Sequence, residues 1–314
     1  MKVNMQEPYL NAPTEALEVL AKEGDVILRL GVRRFLVWSG VLKLASPVFA
    51  AMFDGRLLEG QSLSAVSPPG VALPDDDAAA MCLLCKNMHL QTGDISTSMG
   101  YADLGTLALV ADKYDCTHLL QPWRMTWFPA LVTINQFNDL EKPLLAAYIF
   151  DTPNEFFKIS QSMIRDCSEP LNIMAALEQD VLPIHVVDQI LKKQHNAQKQ
   201  ALAAFNEVVT GNELCNSALQ IVGSCFKKFV DDGLWPFGIP SVLHLKTNVD
   251  SAGVAIAQGC NNSSCVCQKG FACKDEIIAT ITAVYDSATG LCLACAKLRE
   301  LGHAQPCRVS HTYI

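Results

Sequence analysis

Charge is scarce in this chain. Only 18% of its 314 residues are Asp, Glu, Lys or Arg, against 50% hydrophobic. That balance excludes wholesale disorder, because so apolar a chain gains by burying its surface. Basic charge is scarcer still: 24 Lys and Arg against 32 Asp and Glu leave a formal charge of −8, so the sequence as a whole carries no cationic footprint for nucleic acid or an anionic membrane. Long apolar runs are missing, since no stretch reaches the ~18 uninterrupted residues that a spanning helix needs. The opening MKVNMQEPYLNAPTEALEV has no apolar core ahead of a small-residue cleavage site and does not read as a secretory signal. There is no Gly-x-Ser-x-Gly elbow, phosphate loop, dinucleotide fingerprint or His-Glu-x-x-His. These absences predict a protein that is not an enzyme, has no membrane partner and is cytoplasmic and/or nuclear.

Cysteine, by contrast, is abundant. In a reducing compartment 13 cysteines are better explained as core residues or metal ligands than as disulfides. Cys82, Cys85, Cys116, Cys167, Cys215 and Cys225 are scattered over the first 259 residues, and the other seven crowd into the last 55.

The length suits about two domains. Residues 1–23 read as a polar lead-in. Gly24 then opens Asp25-Val26-Ile27-Leu28-Arg29-Leu30, whose alternation predicts a strand with Val26, Leu28 and Leu30 on one face. Arg34 to Trp38 forms a second such run beyond Gly31, so the pair predicts a hairpin. Ser39 is placed to cap a helix in which Val41, Ala45, Val48 and Met52 form one stripe, with Leu42, Phe49 and Phe53 beside it. A short strand is predicted at Val71-Ala72-Leu73. A helix capped within Asp75–Asp77 follows, and another runs from Leu104 to Lys113. Cys82-x2-Cys85-x3-His89 has metal-like spacing, but it lies on an apolar helix where Met81, Leu84 and Met88 share the packing, so core cysteines are expected.

The order strand, strand, helix, strand, helix, helix, together with GDVILRLGVRRFLVWSGVLKLASPVFAAMF, VALPDDDAAAMCLLCKNMH and ADLGTLALVADKYDCTHLLQPW, resembles the BTB/POZ domain, especially its fungal representatives. The resemblance covers about residues 24–125. It rests most on Asp25-Val26, on Val41-Leu42 through Ser46-Pro47-Val48-Phe49, and on Ala111-Asp112-Lys113-Tyr114. It implies an α+β fold, a small sheet with helical hairpins, that binds protein partners. Homodimerisation is among its implications, with Asp25 as an interaction residue, although Trp38-Ser39 stand where many dimerising members carry a His and a basic residue. Relatives that recruit cullin-type ubiquitin ligase scaffolds use a hydrophobic-x-Glu motif after this helix, and Leu57-Leu58-Glu59 fits it.

From 126 to about 215 the chain reads as mainly helical, punctuated by Pro143, Pro153, Pro170 and Pro183. The longest helix expected has Ile184, Val187, Leu191, His195, Gln198, Leu202, Phe205 and Val209 on one face and closes at Gly211. Ordinary packing is the expectation for that stripe, and its polar interruption at His195 and Gln198 fits either an internal hydrogen-bonded pair or a partner contact.

Residues 216–314 read as a cysteine-rich, zinc-binding region. Zinc takes four thiolate or imidazole ligands in a tetrahedron, and Cys292-x2-Cys295 with Cys307-x3-His311 supplies a Cys3His set. Cys260, Cys265, Cys267 and Cys273 either make a second site or lend ligands to the first, and His303 is a spare donor. One Zn2+ is expected and two are compatible with the donor count. The stretch Gly290-Leu291-Cys292-Leu293-Ala294-Cys295 through Cys307-Arg308-Val309-Ser310-His311 also resembles the cysteine motif that follows BTB domains in filamentous-fungal proteins. Four protein ligands leave no open position for substrate, which points to structural zinc. Five basic against four acidic residues in 260–314 disfavour a phosphate-binding tail.

The function expected is a protein-protein interaction adaptor in which the BTB-like region recruits one partner and the helical and zinc regions present a second. A nuclear transcription or chromatin regulator with a zinc-stabilised tail is the alternative, and a zinc hydrolase the third reading.

Overall fold

The computed structural model describes residues 17–93, 95–132, 140–167, 182–211, 241–248 and 278–298, with isolated helical positions at 223, 227, 230 and 231. The fold is mixed α+β, mostly helical with a small four-stranded sheet. The chain divides into two compact units, residues 1–130 and 131–314.

In the first unit β2 (Val26–Leu30) and β3 (Arg33–Val37) pair antiparallel, with Leu28 opposite Phe35. Gly31 turns the chain between them at φ +57, a left-handed conformation that glycine adopts without a Cβ penalty. Val26, Leu28, Leu30, Phe35 and Val37 are buried, as the alternation predicts. The sheet order is β1-β3-β2-β4, in which β1 (Leu17–Val19) runs parallel to β3 and β4 (Gly70–Ala72) parallel to β2.

Strand β1 lies inside the stretch read as a polar lead-in. Three residues are too few to show a period; the ladder to β3 holds them, and Glu18 adds ion pairs. Glu18 accepts from Arg33 Nη2 at 2.9 Å and Lys86 Nζ at 3.0 Å. Burial pushes its carboxyl up, but the bonds to Lys86 and Arg33 outweigh that and leave its pKa lowered.

The single helix expected after the hairpin is two. α1 (Ser39–Ala45) and α2 (Pro47–Met52) meet at Ser46, whose backbone is extended at φ −142 and ψ 124. Pro47 disfavours a helical Ser46 and brings no N–H of its own. Ser46 closes α1 through its N–H to the Leu42 carbonyl at 3.0 Å and caps α2 by accepting from the Phe49 N–H at 3.1 Å. The residues facing the core are Leu42, Phe49 and Phe53, while Val41, Ala45, Val48 and Met52 are half-buried.

α4 (Ala78–Met88) starts on Asp77, whose Oδ1 accepts from the Ala79 and Ala80 N–H groups at 2.9 and 2.8 Å. α5 (Tyr101–Lys113) begins three residues before the predicted Leu104. α6 (Gln121–Val132) follows a short 3-10 turn at Thr117–Leu120.

In the second unit α7 (Glu141–Ile149) and α8 (Pro153–Arg165) pack together, and α8 packs on α9 (Ile184–Gly211). The buried face of α9 contains Val186, Val187, Ile190, Gln194, Ala197, Gln198 and Ala201. It is turned from the predicted stripe: Ile184 is 67% exposed and His195 is exposed. Gln198 of the predicted stripe is buried, and so is Gln194, which donates to the carbonyls of Met163 at 3.3 Å and Cys167 at 2.9 Å. Helical residues 242–248 and 278–287 precede α10 (Leu293–Lys297). Among the described residues no helix is long and apolar enough to cross a membrane.

Candidate interaction surface and metal-ligand turn

Asp25 ends the loop before β2, half-buried, and both of its oxygens are engaged. Oδ1 accepts from the Ser39 N–H and Oδ2 from the Ser39 hydroxyl, each at 2.7 Å. A carboxylate on the first N–H groups of a helix satisfies donors that have no intrahelical partner. Ser39 is therefore the first helical residue, served by Asp25, and the residue preceding the helix is Trp38. The expected interaction residue fastens hairpin to helix within its own unit.

The Leu57-Leu58-Glu59 segment is presented differently. After α2 the chain turns at Gly55, with φ +88, and the Asp54 carboxylate accepts from the Arg56 N–H at 2.9 Å. α3 (Leu58–Gln61) is one helical turn that folds back so closely that a Cβ on Gly60 would sit 2.6 Å from the Gly55 nitrogen. On this compact knuckle Leu57 is 51% and Leu58 80% exposed, with Glu59 half-buried beside them. Two adjacent leucines held outward add nothing to the core.

The Cys82, Cys85 and His89 set packs as core. Cys82 and Cys85 are buried. Burial pushes both thiols up, Cys82 with help from the Glu18 charge, which disfavours the thiolate that metal binding needs. His89 is committed at both nitrogens: Nδ1 lies 2.8 Å from the Cys85 carbonyl and Nε2 accepts from the Trp38 N–H at 3.1 Å. This assigns the tautomer with hydrogen on Nδ1, and burial lowers the pKa of the ring.

In the second unit Cys292 precedes α10 in an extended conformation, φ −79 and ψ 123, and its Sγ accepts from the Cys295 N–H at 3.5 Å. Both sulfur-bearing residues are half-buried on one tight turn. The turn is fastened from two sides: the Leu291 N–H donates to Ser160 Oγ at 2.8 Å, and the His185 ring nitrogen lies 2.7 Å from the Ala296 carbonyl. A Cys-x2-Cys turn whose first sulfur accepts a backbone N–H suits a thiolate pair directed at one ion. Among the described residues no group of three or more metal-ligating side chains gathers. Cys307, His311, Cys260, Cys265, Cys267 and Cys273, together with His303, lie outside the described residues.

Sequence reasoning named Asp25, Leu57, Glu59, Cys292 and Cys295, but missed the pairing of Asp25 with Ser39 and the fastening by Ser160 and His185. The spacings 14 and 111 to 131 that these contacts bridge carry no local pattern. No family model matches the chain, and a search of curated proteins finds no match.

Proposed function

We propose that this chain is a non-enzymatic interaction adaptor whose first unit recruits a protein partner of the cullin-type ubiquitin ligase scaffold class through the Leu57-Leu58-Glu59 knuckle. The observation that carries the reading is the 80% exposure of Leu58 beside a half-exposed Leu57, on a turn fixed by Gly60 packing against Gly55. A turn whose backbone is fixed before contact lowers the entropy cost of binding. Glu59 supplies a charge at the rim, where it favours orientation over affinity.

The second part of the proposal is structural zinc. Cys292 and Cys295 would hold it with Cys307 and His311, and the ion would replace apolar core that a short segment lacks. The Cys260, Cys265, Cys267 and Cys273 set is proposed for a second ion or as additional ligands.

Tagged full-length chain used as bait, with bound proteins identified by mass spectrometry, tests the adaptor reading. A cullin-type scaffold enriched by wild type and depleted from a Leu57→Asp, Leu58→Asp variant is expected. Equal recovery with both baits, or no scaffold with either, rejects the assignment.

A further inference from the structure

A groove of about 160 Å3 lies in the second unit between α9 and the helical stretch 278–287, with α8 beneath it. Its α9 wall carries Lys193, Asn196, Ala197 and Gln200, positions that share a helix face. Val284, Ser287, Ala288 and Thr289 form the facing wall, and Ile164 is the contribution of α8.

Lys193 is half-buried, and its ammonium donates to two neutral oxygens, the Thr289 carbonyl at 3.1 Å and Thr289 Oγ1 at 3.2 Å. Among the described residues it forms no ion pair with a carboxylate, whereas Lys192, the adjacent residue, pairs with Asp188 at 2.6 Å. A partly desolvated cation without an opposite charge is costly, and burial lowers the Lys193 pKa accordingly. Among the described residues the other polar groups lining the groove, Asn196, Gln200, Ser287 and Thr289, are neutral and supply no counter-anion.

The turn that carries Thr289 is fixed. A Cβ on Gly290 would collide with the Phe157 carbonyl, Gln161 Nε2 donates to the Ala288 carbonyl at 3.0 Å, and Leu291 N–H donates to Ser160 at 2.8 Å. The groove is thus built before any ligand arrives, which reduces the ordering cost of binding.

We propose that this groove binds a short aliphatic carboxylate, its carboxylate on the Lys193 ammonium and its carbons against the half-buried Val284. At ~30 Å3 per water, 160 Å3 has room for at least five waters, which accommodates a molecule the size of butyrate. A single ammonium among neutral groups matches a monovalent carboxylate better than phosphate, whose higher charge favours several cationic donors. The groove shares Ala288 and Thr289 with the segment that carries the cysteine turn but contains neither cysteine.

The test uses the full chain and sodium butyrate, with sodium chloride and inorganic phosphate at matched ionic strength as controls. Limiting acetic anhydride followed by peptide mass spectrometry reads Lys193 acetylation, and calorimetry reads affinity. Butyrate should protect Lys193 saturably, with Kd on the order of 1 mM, and Lys193→Met should weaken binding about tenfold or more. Because protection is measured on wild type, the outcome does not depend on the variant's folding. Acetylation of Lys193 equal in butyrate and chloride, protection by phosphate as strong as by butyrate, or undiminished butyrate affinity in a folded Lys193→Met protein overturns the assignment.

Discussion

Tyr114 joins three parts of the first unit through one side chain. Its ring stacks on Phe49 at 4.3 Å, its hydroxyl donates to Asp76 Oδ2 at 2.6 Å, and its carbonyl accepts from the Ser46 hydroxyl. Lys113 Nζ takes the other Asp76 oxygen at 2.6 Å, and the Asp76 side chain is only 2% exposed. Replacing Tyr114 with Phe keeps the stack but leaves a buried carboxylate oxygen short of a donor. Urea unfolding should show a loss of ~1–3 kcal/mol, against less than ~0.5 kcal/mol for the exposed Leu58→Asp. His89 gives a pH signature. Burial lowers its folded-state pKa below the unfolded value of ~6.5, so the unfolded chain binds more protons in that window. Its contribution is fully present above about pH 6.5 and is lost as pH falls through the depressed folded value, when Nε2 can no longer accept from Trp38. Wild type should therefore lose more stability between pH 7.5 and 5.5 than His89→Gln, and parallel losses would contradict the tautomer assigned above.

At the scale of elements, Ser46 is the joint between α1 and α2. It combines a helix cap with a buried bond to Tyr114, so Ser46→Ala should cost ~1–3 kcal/mol in chemical denaturation, and a change under ~0.5 kcal/mol would show that the joint is held by Pro47 and packing alone. The β2-β3 hairpin was legible from alternation, and α4 from its Asp77 cap. The break at Ser46-Pro47 was passed over, because the apolar stripe reads as one helix although Pro47 carries the signal that divides it. Two further features were not legible. β1 is a three-residue strand secured by Glu18 to Arg33 and Lys86, partners that only the fold brings near. The face of α9 was misread because Gln194 looks polar in sequence, yet it is buried to satisfy two carbonyls at the end of α8 and beyond it.

Across the whole molecule, the order of strands and helices read from apolar patterning, with the resemblance it carries, made the mixed α+β class readable, while the packing of the carboxyl-terminal turn was hidden. Residues 288–298 close onto α8 and the start of α9 through Ser160, Gln161 and His185, and Lys297 pairs with Asp151 at 2.7 Å. If zinc joins Cys292 and Cys295 to ligands further along the chain, metal and packing stabilise the same segment. Elemental analysis of purified protein should give at least one zinc per chain, falling by about one in Cys292→Ser, and chelation should increase hydrogen exchange in residues 288–298. Metal-free protein with unchanged exchange would remove zinc from the account.

The adaptor reading stands on the leucine knuckle, and calorimetric titration of a purified cullin-type scaffold fragment into the intact chain tests it most directly. Saturable 1:1 binding that Leu58→Asp abolishes while unfolding stability stays within ~0.5 kcal/mol of wild type is the predicted result. No heat at any accessible concentration, or binding that Leu58→Asp leaves intact, would contradict it.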